Sequence, residues 1–189
     1  WEKSSAKTVK LDVDSSLKLA KELIKIADSV KLPKSKEVAL NEIVIHSGSI
    51  AQLIEFEVYV DDTFVYRQKA DGIIINTPTG STAYALSGHG PIIHPEVNAI
   101  SLLPMFPHSL NTRPLLVDEN VKIDIKVISK NKNKTRLSMD SHNSLSLKKG
   151  DTVTIKKSEP KLKLIHPKEH DFFEACRGKL NWSISQEGK

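Results

Sequence analysis

Alternation of apolar and polar residues dominates this sequence from Val38 onward and constrains its fold class. The clearest run covers residues 54–60, in which Ile, Phe and Val alternate with Glu and Tyr. Asp61-Asp62 offers a turn and residues 64–66 resume the alternation, which predicts a β-hairpin. Further short strands are predicted at 121–128, 136–139, 145–147, 153–155 and 162–165. These patterns predict a mainly β (α+β) chain.

Residues 1–37 differ from the rest, and we treat them as a separate N-terminal segment. From Ser16 to Val30 the apolar residues recur at helical spacing, which favours an amphipathic helix. A strand beginning near Leu17 is the competing interpretation, because a sheet can override helical propensity. The β-rich domain is expected to span 38–182, followed by a tail at 183–189. Near its end, a short helix is predicted to begin at Pro167 and to present an apolar face.

Composition excludes several classes of protein. Of 189 residues, 39% are hydrophobic and 27% charged, which excludes a disordered or collagen-like chain. The net charge of +5 is modest and no dense basic run is present, so we expect no nucleic-acid partner. We expect no membrane partner either, because no apolar run is long enough for a span. The single cysteine, Cys176, fits a reducing, cytoplasmic location. A chain that begins with Trp1 is expected to be a fragment or processed piece.

The segment 70–91 is the most unusual part of the sequence. Ile73–Ile75 predicts a short buried strand, which Thr77-Pro78-Thr79-Gly80 ends. Ser81 or Thr82 could cap a short helix that ends near Ser87, and a helix N-terminus beside hydroxyl groups suits a phosphate or a ribose. Tyr84 could supply an aromatic face for a base. The alternative is a tight turn whose hydroxyl groups bind only its own backbone.

Several motifs in this sequence together resemble the C-terminal domain of NAD kinases. They are Asn41-Glu42, Asp71-Gly72, Thr77-Pro78-Thr79-Gly80-Ser81-Thr82-Ala83-Tyr84, Gly90-Pro91-Ile92-Ile93-His94-Pro95, Met105 to Leu110, Arg113-Pro114, Asp140-Ser141 and Leu164 to Lys168. They follow the family's order and cover roughly residues 38 to 182. Each has an ordinary structural explanation when taken singly, but their joint occurrence favours the family.

The resemblance implies a fold and a reaction. The expected fold is a β-sandwich-like domain with a few short helices, which in the family follows an α/β nucleotide-binding domain that this sequence does not contain. NAD kinases use ATP or polyphosphate, with a divalent metal such as Mg²⁺, to phosphorylate the 2′-hydroxyl of the adenosine ribose of NAD, giving NADP. The family forms homodimers or homotetramers.

The resemblance also implies a set of NAD-binding residues. Asn41 and Glu42 would hold NAD by hydrogen bonds, and Asp71 would reach the nicotinamide end from a neighbouring subunit. The complete set carried over is Asn41, Glu42, Gln52, Lys69, Asp71, Thr82, Ala83, Tyr84, Ala85, Leu86, Ser87 and His142. Three of these depart from the usual family residues: Lys69 stands where Arg is more common, Gln52 where a basic residue or His often occurs, and His142 where Gln is frequent.

The largest departure is the family's Gly-Gly-Asp-Gly motif, whose Asp acts as the general base. This sequence contains no Gly-Gly pair, and its first glycine is Gly48. We therefore expect no catalytic residue in this chain and no kinase activity from it alone, because phosphoryl transfer depends on placing the phosphates and accepting the proton. The histidines show no metal-ligand spacing, so no metal site is expected. The alternative function is a non-catalytic oligomerisation or nucleotide-binding module.

Overall fold

The computed structural model describes residues 24–27, 37–49, 52–128, 135–159, 162–165, 167–168 and 171–180. Eleven strands are found in these ranges: β1 Ile24–Ala27, β2 Glu42–Ser47, β3 Ile54–Val60, β4 Thr63–Ala70, β5 Gly72–Asn76, β6 Ala99–Met105, β7 Leu115–Asp118, β8 Ile123–Val127, β9 Thr135–Met139, β10 His142–Leu147 and β11 Thr152–Lys157. Three helical elements accompany them: a 3₁₀ helix at Thr79–Thr82, α1 at Tyr84–Ser87 and α2 at Phe172–Leu180.

The strands form two antiparallel sheets. Sheet A has the order β1-β11-β8-β3-β4, and sheet B has the order β10-β9-β2-β5-β6-β7. The predicted hairpin is confirmed as β3 and β4, which are joined by a turn at Asp61 and Asp62. The predicted mainly β, sandwich-like fold class is confirmed.

The main hydrophobic core lies between the two sheets. Alternate residues of β3, such as Phe56 and Val58, are fully buried against alternate residues of β2, such as Ile43 and Ile45, in one cluster. Period-two alternation has this consequence because successive side chains of a strand point to opposite faces of the sheet. The alternation of the sequence therefore encodes the inner face of each sheet.

Strand β5 is buried on both faces, as its run of isoleucines predicts. Ile73 and Ile75 belong to the core between the sheets, whereas Ile74 packs with Val44, Leu103 and Ala85 in a second cluster. Ala85 lies on α1, so this short helix and the 3₁₀ helix before it cover part of the outer face of sheet B. That face carries the candidate site.

Three sequence predictions about the chain ends are wrong. Residues 24–27 form a strand rather than part of a helix, because β1 pairs with the edge of β11 and sheet hydrogen bonds override the helical pattern. The rest of the predicted helix lies outside the described residues. Residues 162–165 form no strand. Helix α2 begins at Phe172, not Pro167, because the Asp171 carboxylate accepts the Phe173 N–H at 2.8 Å and caps it.

Candidate functional site

An open cavity of about 390 Å³ lies on the outer face of sheet B. Strands β2 and β9, the end of β6 at Met105, and Tyr84 of α1 all contribute to its lining. Ten residues line it: Val44, His46, Ser47, Ser49, Gln52, Asp71, Tyr84, Met105, Ser138 and Ser141. Its volume falls in the range of about 300 to 1,000 Å³ that is typical of small-molecule sites.

Three of the residues expected to bind NAD line this cavity together. Gln52 precedes β3, Asp71 lies between β4 and β5, and Tyr84 begins α1, so they come from three separate parts of the chain. Their side chains offer an amide, a carboxylate and an aromatic ring with a hydroxyl, and the Tyr84 side chain is 44% exposed. The cavity can therefore make both polar and stacking contacts with a ligand.

Other expected residues lie near the cavity without lining it. Thr82, Ala83, Leu86 and Ser87 flank Tyr84 on the same covering segment, and Thr82 and Ser87 are exposed. Ala85 as a contact of NAD stays a prediction, and its side chain is buried in the second cluster against Val44 and Leu103. Its role in this structure is to seat α1 on the sheet.

Lys69 and His142 lie outside the cavity lining. Lys69 is exposed on β4 of sheet A, and its carbonyl oxygen accepts the His108 N–H at 2.9 Å. His142 is exposed at the start of β10, where its Nδ1 lies 2.5 Å from the carbonyl oxygen of Asp140. Its neighbour Ser141 faces the cavity instead.

Of the two alternatives for the loop after β5, the structure favours the tight turn for Ser81 and Thr82, because both hydroxyl groups bind backbone. The buried Ser81 hydroxyl donates to the Pro78 carbonyl oxygen at 2.6 Å and accepts the Ile93 N–H at 3.0 Å. The Thr82 hydroxyl donates to the Thr79 carbonyl oxygen at 3.3 Å. Neither side chain caps α1, which has no side-chain cap and is only one turn long.

Glu42 is a buried acid beside the cavity. Only 3% of Glu42 is exposed, and the backbone N–H of Tyr84 lies close enough to its carboxyl to lower the pKa of that group. Burial raises the pKa of the Glu42 carboxyl, the negative charge of Asp140 raises it further, and the Tyr84 N–H opposes both. Its Oε2 atom has no hydrogen-bond partner. Asn41, the preceding expected residue, is partly exposed, and its carbonyl oxygen accepts the Thr77 N–H at 2.9 Å.

Glu42 belongs to a row of three buried polar side chains that crosses sheet B. Glu42 is opposite Asn76 on β5, and Asn76 is opposite Ser101 on β6. Glu42 Oε2, Asn76 Oδ1 and Ser101 Oγ are all buried without a partner. Buried polar atoms are normally hydrogen-bonded, so two acceptors next to one hydroxyl require a donor such as a buried water or a proton on Glu42.

We expect Glu42→Gln to stabilise the fold at neutral pH. Because the folded state raises the pKa of Glu42, the wild-type protein loses stability relative to the variant as pH rises from the ordinary carboxyl value of 4.5 through the raised pKa. Below pH 4.5 Glu42 is neutral in both the folded and unfolded states, so the difference in stability between the wild type and the variant should become independent of pH. Urea unfolding of both proteins from pH 4 to 8 measures this; a difference that is constant over the whole range would contradict it.

Sequence reasoning missed seven lining residues of the cavity. They are Val44, His46, Ser47, Ser49, Met105, Ser138 and Ser141. Alternation along β2 places Val44 and His46 on the same face as Glu42, a signal that was available. The pairing of Val44 with Ser138 on β9 was not available, because strand order is a tertiary property.

Comparison with known proteins identifies the family. A family model described as the ATP-NAD kinase C-terminal domain matches residues 40–167. The chain belongs to this family. It is 51% identical over 149 residues to a NAD kinase of Teredinibacter turnerae, covering 79% of this chain and 51% of that protein, and 50% identical over the same length to one of Colwellia psychrerythraea, with the same coverage.

Two solved structures are similar to this one. The crystal structure of yeast NADH kinase complexed with NADH superimposes with a TM-score of 0.77 at 29% identity, covering 88% of this chain and 51% of that one. The crystal structure of an NAD kinase from Archaeoglobus fulgidus in complex with ATP gives a TM-score of 0.61 at 28% identity, covering 80% of this chain and 61% of that one. This chain therefore spans about half the length of the curated relatives described above.

No helix in the described ranges is both long and apolar enough to cross a membrane. In the same ranges, no group of three or more His, Cys, Asp or Glu side chains is arranged to hold a metal ion.

Proposed function

We propose that this chain is the NAD-binding and oligomer-forming part of a NAD kinase, and that the cavity on sheet B receives NAD. The observation that carries the proposal is that Gln52, Asp71 and Tyr84 meet in that cavity from three separate parts of the chain. The family resemblance marks these residues as NAD contacts, and their packing into one cavity is an independent fact. The NADH bound in the yeast structure supports the same ligand class.

In this proposal the residues of the chain bind and orient the substrate. The Tyr84 ring stacks on one ring of the dinucleotide, and the Asp71 carboxylate accepts hydrogen bonds at the nicotinamide end. Glu42 accepts a hydrogen bond from a ribose hydroxyl when it is ionised, with Asn41 beside it. Gln52 adds an amide at the rim. Fixing the ribose in this way supports phosphoryl transfer, because that reaction depends on positioning.

The reaction itself needs groups beyond these residues. A phosphoryl group passes from ATP or polyphosphate to the ribose 2′-oxygen, which gives up its proton to a base, and the product is NADP. The sequence lacks the Gly-Gly-Asp-Gly base, so we propose that this polypeptide alone transfers no phosphate. Mg²⁺ would neutralise phosphate charge in the complete enzyme. The described residues form no cluster that fits it, so we assign it no ligand here.

The proposal extends to assembly and location. We propose a homodimer or homotetramer in which the side of the cavity that carries Asp71 meets a neighbouring subunit, so that Asp71 reaches the nicotinamide end of NAD across the subunit boundary. We also propose a cytoplasmic location, which the single cysteine supports. Light scattering on the purified chain tests the assembly. Stable oligomers without any affinity for NAD would favour the alternative of a non-catalytic oligomerisation module.

We expect NAD to protect this protein against thermal unfolding. At a concentration of 100 times Kd the ligand contributes about 2.7 kcal/mol, which for a chain of this size raises Tm by roughly 5–10 °C. Tyr84→Ala and Asp71→Ala should each reduce the shift, because Tyr84 supplies the ring and Asp71 the carboxylate of the cavity. Tyr84→Ala keeps the backbone N–H beside Glu42 and removes a side chain that is partly exposed, so the fold should persist.

Tyr59→Ala on sheet A is the matched control, since Tyr59 does not line the cavity and its hydroxyl donates to Glu57 at 2.9 Å. This control should keep the full shift. The proposal would be contradicted if millimolar NAD gave neither a change in Tm nor a heat of binding with a sample that circular dichroism shows to be folded.

A further inference from the structure

The Asp140 carboxylate holds the backbone of the segment that contains Asn41 and Glu42. Its Oδ2 accepts the Leu40 N–H at 2.7 Å, and its Oδ1 accepts the N–H groups of Asn41 at 2.8 Å and Glu42 at 3.0 Å. The Asp140 N–H in turn donates to the Glu42 carbonyl oxygen at 3.0 Å. Four hydrogen bonds thus join the β9–β10 turn to three consecutive residues at the start of β2.

The geometry of the β9–β10 turn aims this carboxylate. Asp140 has φ of 45° and Ser141 has φ of 59°, so both lie in the left-handed region that Asp tolerates better than most residues. The turn places Ser141 in the cavity lining while Asp140 points at the segment 40–42. The β9–β10 turn therefore lines the cavity through Ser141 and holds the adjacent segment 40–42 through Asp140.

The segment that Asp140 holds is the one that carries Glu42. Hydrogen bonds from backbone N–H groups to a carboxylate are charge-assisted and short, and three of them fix the segment at consecutive positions. Because Glu42 begins β2 and its carboxyl lies beside the Tyr84 N–H, fixing its backbone also fixes the position of this acid relative to α1. Glu42 thus links Asp140, which binds its backbone, to Tyr84, whose N–H lies beside its carboxyl.

We propose that Asp140 is a positioning residue for the nucleotide site: it sets the place of Asn41 and Glu42 and thereby the affinity for NAD. This inference rests on the proposed function. It assigns Asp140 no contact with the ligand.

The test compares three variants with the wild-type chain by calorimetric titration with NAD, at a temperature at which circular dichroism shows all of them folded. Asp140→Gly removes the carboxylate and tolerates the positive φ, and we expect it to weaken NAD binding at least about tenfold. Asp140→Asn keeps one acceptor oxygen and tolerance of the left-handed region. We expect it to restore part of the affinity, because Oδ1 can still accept from Asn41 and Glu42.

The chain offers a closely matched control in Asp61. This residue also has φ of 46°, precedes a second left-handed residue, and accepts a distant backbone N–H, that of Lys122, at 2.8 Å. It lies in the β3–β4 turn of sheet A, outside the cavity lining. Asp61→Gly should lower stability and leave the affinity for NAD within twofold of wild type.

The pH dependence of binding separates positioning from mere stability. NAD affinity should fall as pH is lowered and Glu42 takes up a proton. Among the described residues, the charged side chain that raises the pKa of Glu42 is Asp140, while the backbone N–H of Tyr84 lowers it. Both Asp140 variants should therefore move the midpoint of this loss to lower pH, and Asp61→Gly should not move it.

The outcomes are distinct. If the wild-type chain binds NAD and both Asp140 variants bind it within twofold with the same midpoint, the inference is overturned while the proposed function stands. If Asp140→Gly does not fold, Asp140→Asn decides by the same two criteria. If the folded wild-type chain does not bind NAD, the proposed function fails and this inference fails with it.

Discussion

Gly80→Ala is expected to destabilise the protein by about 3 kcal/mol, because a buried methyl group would overlap backbone rather than a movable side chain. A Cβ at Gly80 would lie 2.0 Å from the carbonyl oxygen of Asn41 and 2.8 Å from its Cα. The variant must push the segment before β2 away from the 3₁₀ helix. Since that segment carries Glu42, we also expect the affinity for NAD to fall by at least an order of magnitude, about 1.4 kcal/mol.

Chemical denaturation and NAD titration measure the two effects of this substitution. Gly178→Ala is the control, because a Cβ there meets nothing within 4 Å and the residue lies inside α2. Removing a glycine from a helix interior should stabilise by up to about 1 kcal/mol. A Gly80→Ala protein as stable as wild type would show that the segment before β2 moves away from the 3₁₀ helix without cost, which would contradict this prediction.

Phe56→Ala should be the most destabilising single truncation that we predict, at about 3–5 kcal/mol. Phe56 is fully buried on β3, an interior strand of sheet A, and belongs to the core cluster that contains residues of both sheets. Removing it leaves a cavity that surrounding β-branched side chains of fixed rotamer fill poorly.

The neighbouring strand supplies the comparison for this truncation. Phe64 on β4 is 54% exposed and packs edge-to-face on Tyr59, with ring centroids 5.6 Å apart. Phe64→Ala should therefore cost about 1 kcal/mol. Guanidinium unfolding of Phe56→Ala and Phe64→Ala measures the two losses of stability. Equal losses would mean that another surface covers Phe64 on β4 in solution.

The sheets were predictable because a single local rule generates them. Alternation of apolar and polar residues indicates which side chains of a strand face the core, and it predicted the hairpin of β3 and β4. The run of isoleucines predicted that β5 is a buried strand. The strand β1 could not be predicted in this way, because Ile24–Ala27 pairs with β11, more than a hundred residues away, and no local pattern records that partner.

The candidate site was less predictable than the fold for the same reason. Tyr84, Asp71 and Gln52 were found through the family resemblance, whereas Ser138 enters the cavity only because β9 pairs with β2. The role of the Ser81 hydroxyl stayed open in the sequence because its acceptor and donor, Pro78 and Ile93, are chosen by the fold of the loop. Sequence patterns identify the side-chain groups that could bind a ligand, and tertiary contacts determine which of these groups remain available to it.

The hydrogen bonds that fix the backbone of Asn41 and Glu42 go to one residue, Asp140, nearly a hundred positions away, and the Thr77 hydroxyl, 37 positions from Leu40, donates to the Leu40 carbonyl oxygen. Contacts of such long sequence separation form late, since chain closure must precede them. We therefore expect Glu42 to reach its position in the folded protein only in a late step of folding. If so, the time course of NAD binding during refolding would report on the last step of folding rather than on the initial collapse of the chain.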